Sequence, residues 1–249
     1  MIRIHKRKRA STNVLALFLH RLCGALFSLK VTLVIEALGA LALMPIFIPE
    51  FGLKGIWYSV FHAVSAFCNA GFDVFGGGRS LTHFYGEPVV LLTVSALIIL
   101  GGLGYIVWWD VLRVIKNRSP KKRRIFRHLT LHSKIAITVT AGLVLVGAIL
   151  IFIFEYANPL TVGEMSLFDK IQASFFQSVT TRTAGFATIP QENLTNASAA
   201  ISIILMMIGG SPGSTAGGMK TTTFAVLLGC TYAVFRKRDS AQFFGRRIG

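Results

Sequence analysis

The sequence contains a short stretch that occurs twice, as S-A-F-C-N-A-G-F at residues 65–72 and as S-V-T-T-R-T-A-G-F at residues 178–186. Each copy follows about a dozen moderately apolar residues, too few to cross a bilayer, and lies between segments that are long enough to do so. This pattern predicts a re-entrant pore loop, in which a short helix enters the membrane and the chain returns as extended backbone. Irregular backbone at that depth must line water or be buried in protein, because lipid cannot satisfy its N–H and C=O groups.

The backbone of such a loop suits a cation, because unpaired carbonyl groups can replace the water molecules of its hydration shell. Gly71 and Gly185 can adopt the left-handed conformation that turns successive carbonyls toward one axis. Each glycine alone would fit a tight turn or a packing position, but two copies after short helices favour a selectivity filter. The predicted filter comprises Cys68, Asn69, Ala70, Gly71, Phe72, Thr181, Arg182, Thr183, Ala184, Gly185 and Phe186. The predicted ion ligands are the carbonyl groups of Asn69, Ala70, Gly71, Thr183, Ala184 and Gly185.

The composition is that of an integral membrane protein. Of the 249 residues, 53% are hydrophobic and 14% are charged, which is far from the balance of a soluble domain. The net charge of +16 could suggest a nucleic-acid partner, but Lys and Arg concentrate in residues 1–21, 113–134 and 235–249, each beside an apolar segment. By the positive-inside rule these clusters are cytoplasmic, so the basic charge reflects topology and we expect no nucleic acid.

The apolar segments predict an all-α integral membrane protein with two parallel repeats, each a span, a pore helix, a filter strand and a second span. The predicted boundaries are a basic cytoplasmic arm over residues 1–13, a first repeat over 14–112, a basic cytoplasmic loop over 113–134, a second repeat over 135–238 and a truncated cytoplasmic tail over 239–249. We expect full spans over residues 31–48, 89–109 and 135–154, and pore helices over 55–66 and 166–178. Both termini are predicted to lie in the cytoplasm of a multi-pass plasma-membrane protein.

The last span is interrupted by the small-residue stretch G-G-S-P-G-S-T-A-G-G at residues 209–218. Neither flanking half reaches bilayer length, which predicts one broken helix with an unwound middle. We interpret the break as a gating loop just inside the filter; the alternative is a break that only eases helix packing. The predicted loop residues are Gly209, Gly210, Ser211, Pro212, Gly213, Ser214, Thr215, Ala216, Gly217, Gly218 and Lys220.

Three charged residues at membrane depth are candidates for function or for neutral pairing. Glu36 falls within the first predicted span, where Lys30 could neutralise it. Lys220 is expected to hold the loop through backbone carbonyls or through a carboxylate such as Glu36. Arg182 is expected to turn away from the ion and to pair with an acid or with carbonyls behind the filter. The glycines of the stretch G-G-L-G at residues 101–104 favour either close helix packing or a kink.

The two halves match in motif order. A-G-F at residues 70–72 corresponds to residues 184–186, and G-G at residues 101–102 corresponds to residues 209–210. A carbonyl filter needs about four strands around its axis. The chain is therefore predicted to carry half of a ring.

At these residues the sequence resembles the ion-conducting subunit of the Ktr/Trk/HKT potassium transporter superfamily, above all the bacterial Ktr type. The resemblance rests on C-N-A-G-F at residues 68–72, T-T-R-T-A-G-F at residues 180–186 and G-G-S-P-G-S-T-A-G-G-M-K at residues 209–220. It implies four unequal span–pore–span units, of which this chain resembles the second and third. We therefore expect a fragment or split chain, although a short protein that pairs with a second copy is the alternative.

The resemblance also implies potassium uptake through the filter, with sodium as a second candidate ion and no covalently bound cofactor. It implies a homodimer in the lipid bilayer that binds a cytosolic ring of nucleotide-binding regulatory subunits. An enzyme is not expected, because the sequence has no HExxH, GxSxG or Walker-type motif. A non-conducting assembly module of such a transporter remains the alternative function.

Overall fold

The computed structural model describes residues 2–77, 79–116, 125–237, 242–244 and 246–247, with the backbone alone for residues 2–23, 242, 246 and 247. Much of the predicted basic loop and most of the predicted tail lie outside the described residues. The α-helices in the described part are α1 Ile2–Phe51, α2 Lys54–Phe67, α3 Pro88–Leu103, α4 Tyr105–Lys116, α5 Ile125–His128, α6 Leu131–Glu155, α7 Leu167–Thr180, α8 Asn196–Met207 and α9 Thr221–Phe235.

Two strands of two residues each, β1 Gln242–Phe243 and β2 Arg246–Arg247, form an antiparallel pair after α9. This pair was not predicted, and the rest of the described secondary structure is helical as expected. Two short 3₁₀ turns, Thr82–Phe84 and Gln191–Asn193, lie in the segments that follow the two filter strands.

Two of the described helices are long and apolar enough to cross a membrane, namely residues Gly24–Phe51 of α1 and the whole of α6. The bent pair α3 and α4 would be a third span if it were counted as one, while α8 and α9 are shorter apolar helices. The protein is therefore an all-helical membrane protein, apart from the small strand pair. The number and direction of the crossings stay predictions.

The short helices α2 and α7 occupy the positions of the two predicted pore helices. The start of α7 is capped by Ser166, whose hydroxyl group accepts a hydrogen bond from the Asp169 backbone N–H at 3.2 Å. Helix α2 packs against the end of α1 around His62, which is completely buried. The His62 ring stacks on Phe75 with 4.2 Å between ring centroids, so His62 is a packed residue of an aromatic cluster.

One predicted span is wrong in shape. Residues 89–109 were expected to cross as one helix, but the helix breaks at Gly104, and α3 and α4 meet at 94°. Gly104 has a φ of +79°, and a Cβ atom there would lie 2.8 Å from the Ser214 backbone nitrogen. The chain therefore turns at a residue that tolerates left-handed backbone, and the turn makes room for the loop of the second repeat. Both interpretations of the glycines in residues 101–104 are confirmed, because the helix kinks at Gly104 and a Cβ atom on Gly101 would lie 3.0 Å from the Phe67 carbonyl carbon of α2.

The hydrophobic core joins the two repeats. Buried side chains of α1, α2 and α3 pack with side chains of α6 and α7 and with Phe186 from the second filter strand. This shared core holds α2 and α7 in fixed positions relative to each other.

Candidate ion filter and gating loop

The two filter strands have the same alternating backbone. Asn69 and Gly71 in the first strand have φ values of +50° and +69°, and Thr183 and Gly185 in the second have +67° and +97°. These residues correspond in the repeat, so both strands turn their peptide groups in the same order. The sequence predicted left-handed backbone at the two glycines. It also placed Asn69 and Thr183 in the filter, but it did not predict their left-handed conformation. Asn at position 69 was a usable signal, because Asn is one of the few non-glycine residues that adopt left-handed backbone readily.

The glycines bring the strands into close contact. A Cβ atom on Gly71 would lie 2.7 Å from the Cα atom of Gly185 and closer still to the Ala184 carbonyl oxygen. A Cβ atom on Gly185 would lie 3.3 Å from the Cα atom of Gly71. The first contact is shorter than any real side chain permits, so Gly71 is required both for its backbone conformation and for space.

Hydrogen bonds fix the C-terminal end of each predicted filter strand to the short helix that precedes it. The Ser65 hydroxyl group donates to the Phe72 carbonyl oxygen at 2.9 Å, and the Thr180 hydroxyl group donates to the Phe186 carbonyl oxygen at 2.6 Å. By contrast, none of the six carbonyl groups predicted as ion ligands accepts a hydrogen bond from any described residue. The arrangement leaves in each strand three successive unpaired carbonyls, followed by one that is held in place.

The side chains of the other predicted filter residues differ in burial and in contacts. The Thr181 hydroxyl group donates to the Ser178 carbonyl oxygen of α7 at 2.9 Å, and the side chains of Ala184 and Phe186 are buried in the core. Phe72 is exposed. The exposed Cys68 thiol lies 4.0 Å from the Glu36 carboxylate. The described residues contain no Lys30–Glu36 ion pair, so the predicted neutralisation of Glu36 by Lys30 is wrong.

Arg182 turns away from the row of carbonyls, as expected. Its side chain is only 4% exposed, and its Nη2 atom donates to the Gly209 carbonyl oxygen at 2.9 Å. No acidic side chain within the described ranges pairs with it. Of the two predicted kinds of partner, the backbone carbonyl is therefore the one that the structure provides.

The predicted gating loop lies in the bend between α3 and α4. The Ser211 backbone N–H donates to the Gly102 carbonyl oxygen at 2.8 Å, and the Tyr105 backbone N–H donates to the Gly213 carbonyl oxygen at 3.2 Å. The G-G pairs at residues 101–102 and 209–210, which correspond in the repeat, thus belong to segments that meet. The small residues allow this approach, because their backbones pack without intervening side chains.

The loop is closed at its base. The Met219 backbone N–H donates to the Met207 carbonyl oxygen at 2.9 Å, and the Gly209 backbone N–H donates to the Met219 carbonyl oxygen at 3.1 Å. Lys220 donates from Nζ to the Ala216 carbonyl oxygen at 2.8 Å. A carbonyl is therefore the Lys220 partner, and the alternative partner Glu36 lies beside Cys68 instead.

Two buried carboxylates hold the helices that carry the site, and sequence reasoning missed both. Asp110 accepts hydrogen bonds from the backbone N–H and the hydroxyl group of Thr130, the residue that caps α6, at 2.7 and 2.8 Å. Glu155 accepts the same pair of hydrogen bonds from Thr195, which caps α8, at 2.9 and 2.7 Å. The repeated pattern T-x-x-S at residues 130–133 and 195–198 indicates the two helix caps. Nothing in the sequence indicates which carboxylates accept hydrogen bonds from these caps.

Comparison with known proteins places the chain among cation transporters. A sequence model described as TrkH, cation transport protein, matches residues 15–248. The chain belongs to this family. The suspected resemblance is thereby confirmed, and so is the expectation that the protein is not an enzyme, because the family is one of transporters.

Several curated members of the family are similar in sequence. The chain is 46% identical over 224 residues to the potassium/sodium uptake protein NtpJ of Enterococcus hirae, an alignment that covers 90% of this chain and 47% of the relative. It is 38% identical over 215 residues to the Ktr system potassium uptake protein B of Bacillus subtilis, covering 86% of this chain and 46% of the relative. The chain spans about half the length of the curated relatives it matches.

A solved structure shares the fold. The crystal structure of the potassium transporter TrkH from Vibrio parahaemolyticus matches with a TM-score of 0.66 and 17% identity. The match covers 86% of this chain and 41% of that chain. The helical arrangement described above is thus shared with this solved structure.

Proposed function

We propose that this chain supplies two strands of a potassium-selective filter and that the assembled transporter takes up potassium across the plasma membrane, with sodium as a second candidate ion. One observation carries the proposal. The two strands present six carbonyl groups that accept no hydrogen bond from the described residues, on backbones that turn at corresponding positions. Carbonyls in such an array can replace the hydration shell of a potassium ion.

Two strands do not surround an ion, since a carbonyl filter needs about four. We propose that further pore units, or a second copy of the chain, complete the ring. The chain spans about half of relatives that are named for potassium uptake, which supports the first arrangement. A homodimer of the completed unit, with a cytosolic nucleotide-binding regulatory subunit on the basic segment 113–134, is part of the same proposal. The positive-inside rule puts both termini in the cytoplasm.

We propose that residues 209–218 are the gate. Thr215 supports this role, because its hydroxyl group donates to the carbonyl oxygen of Phe67, the last residue of α2, at 3.0 Å. Phe67 immediately precedes the first filter strand, so the loop lies directly beside the start of that strand. A small movement of the loop there would be enough to obstruct or to free a hydrated ion.

The filter assignment is tested by the substitution Gly185→Ser in a transporter with four pore units that includes this chain. We expect the variant to lose its preference for potassium over sodium in uptake by cells that have no other potassium transporter. A serine at a φ of +97° forces the backbone out of its conformation and moves the adjacent carbonyl. Gly76→Ser is the matched control, because Gly76 has a φ of +82° but no atom within 4 Å of an added Cβ.

Unchanged potassium and sodium affinities in Gly185→Ser would refute the filter assignment. The same assay addresses the alternative of a non-conducting assembly module. If the other pore units conduct equally well with and without this chain, the chain is such a module. If conduction requires the chain and its filter glycine, the proposed function stands.

A further inference from the structure

We infer that Arg182 and Thr183 are positioning residues that couple the filter to the gating loop. They fasten both ends of the loop to the second filter strand, so the loop cannot move without releasing that strand. The inference rests on the proposed function, and it adds that ion selectivity and gating change together.

The two fastening contacts come from adjacent residues. The Arg182 Nη2 atom donates to the carbonyl oxygen of Gly209, the first residue of the loop, at 2.9 Å. The Gly217 backbone N–H, near the other end of the loop, donates to the Thr183 hydroxyl group at 2.9 Å. Two adjacent residues of the second filter strand therefore hold the two ends of the loop. A movement at either end acts on the strand directly.

Thr183 has an uncommon conformation that this contact explains. Its φ of +67° is rare for a β-branched residue, and a glycine would adopt it without strain. Glycine has no hydroxyl group to accept the hydrogen bond from Gly217. Strained residues of this kind are found at functional sites, where surrounding contacts hold them. The side chain of Thr183 thus contributes a contact to the loop at a position where backbone preference alone favours glycine.

The buried charge of Arg182 gives the loop a preferred position. Within the described residues its guanidinium group has no carboxylate partner, so the Gly209 carbonyl supplies a charge-assisted hydrogen bond in a site almost without solvent. Movement of the loop away from Arg182 would leave a buried charged donor unpaired, which is costly. The filter strand therefore favours the docked loop, and a gate that opens must pull against it.

A small, mostly apolar cavity lies where the two filter strands and the loop come together. It is the size of about one water molecule and is bordered by Asn69, Arg182, Gly102, Gly210, Ile98, Ile99 and Val179. Among the described residues, the Arg182 Nε atom and both polar atoms of the Asn69 amide have no hydrogen-bond partner, although all three atoms are buried. Asn69 of the first strand and Arg182 of the second therefore border the same space as Gly210 of the loop.

The test uses the complete transporter in proteoliposomes without a regulatory subunit. The variants Arg182→Met and Thr183→Val remove the two contacts, because methionine has no donor and valine has no acceptor, while Arg182→Lys and Thr183→Ser keep a donor and an acceptor. Thr188→Val is the control, because the Thr188 hydroxyl group is also buried but has no partner in the described part of the chain. We measure the basal rubidium flux, the ratio of sodium to potassium flux, and hydrogen exchange of the loop amides.

We expect Arg182→Met and Thr183→Val each to raise the basal flux and the sodium-to-potassium ratio at least threefold, with faster hydrogen exchange in residues 209–218. The conservative variants should stay nearer to wild type, and the control should match it. A change in flux without a change in the ratio, the converse, or a loss of protein yield alone would overturn the coupling. Hydrogen exchange does not depend on transport. If the wild-type assembly carries no potassium but the variants still show faster exchange than wild type, the proposed function is refuted. The contacts between the strand and the loop would then stand without it.

Discussion

Replacing Gly71 by alanine tests whether the two filter strands touch as the structure shows. The methyl group would sit 2.7 Å from the Cα atom of Gly185, whereas carbon atoms in contact lie about 3.5–4.0 Å apart. One strand must therefore move by about 1 Å. The left-handed backbone at Gly71 adds about 1–2 kcal/mol for any residue with a Cβ atom.

The magnitude follows from these two terms. Overpacking at a site that cannot yield costs about 1–3 kcal/mol, so the variant should lose about 2–5 kcal/mol in total. Gly76→Ala is the matched control, because it has a similar φ of +82° and open space around the added methyl group. It should lose only about 1–2 kcal/mol.

The assay compares thermal unfolding of both variants in detergent and then measures potassium and sodium uptake by the complete transporter. A difference of about 1.4 kcal/mol between the ions corresponds to a tenfold change, and a carbonyl displaced by about 1 Å should change selectivity at least that much. The reasoning is refuted if Gly71→Ala is no less stable than Gly76→Ala and keeps its potassium preference.

Two further substitutions test the framework that holds the site. Glu155→Gln should lower the free energy of unfolding by about 2 kcal/mol, because an amide in place of the buried carboxylate cannot accept all four of its hydrogen bonds. Glu164→Gln, at an exposed residue in the segment that follows α6, should have no effect in the same thermal unfolding experiment, and equal values for the two would contradict this account. Gly104→Ala should destabilise the protein and detach the loop, because the added methyl group would meet the Gly213 and Ser214 backbone at 2.7 and 2.8 Å. Gly142→Ala is its control, because Gly142 lies in the middle of α6 and an added Cβ atom there would have no atom within 4 Å. If hydrogen exchange of the loop stays slow in Gly104→Ala, the bend does not depend on this glycine.

The sequence by itself determined the membrane class, the repeated order of motifs, the two short helices, the left-handed glycines that follow them and the break between the last two apolar helices. These features are local. Hydropathy and segment length decide whether a helix can cross a bilayer, and a glycine between a short helix and a span marks a backbone turn within a few residues. The family resemblance rested on the same short motifs, and the match over residues 15–248 confirmed it.

Only the tertiary structure decided the features that depend on contacts between distant segments. Residues 89–109 carry no charge, so hydropathy gave no sign of a bend; the glycines at 101–104 allowed a kink, but the structure alone shows that the bend at Gly104 accommodates a loop more than a hundred residues away in sequence. The partners of Arg182 and Lys220, the carboxylates that bind the caps of α6 and α8, and the contact of Gly71 with Gly185 follow the same rule. Each of these polar or small residues has several acceptable partners in sequence, and the packing of the two repeats around one core decides which of them come within reach.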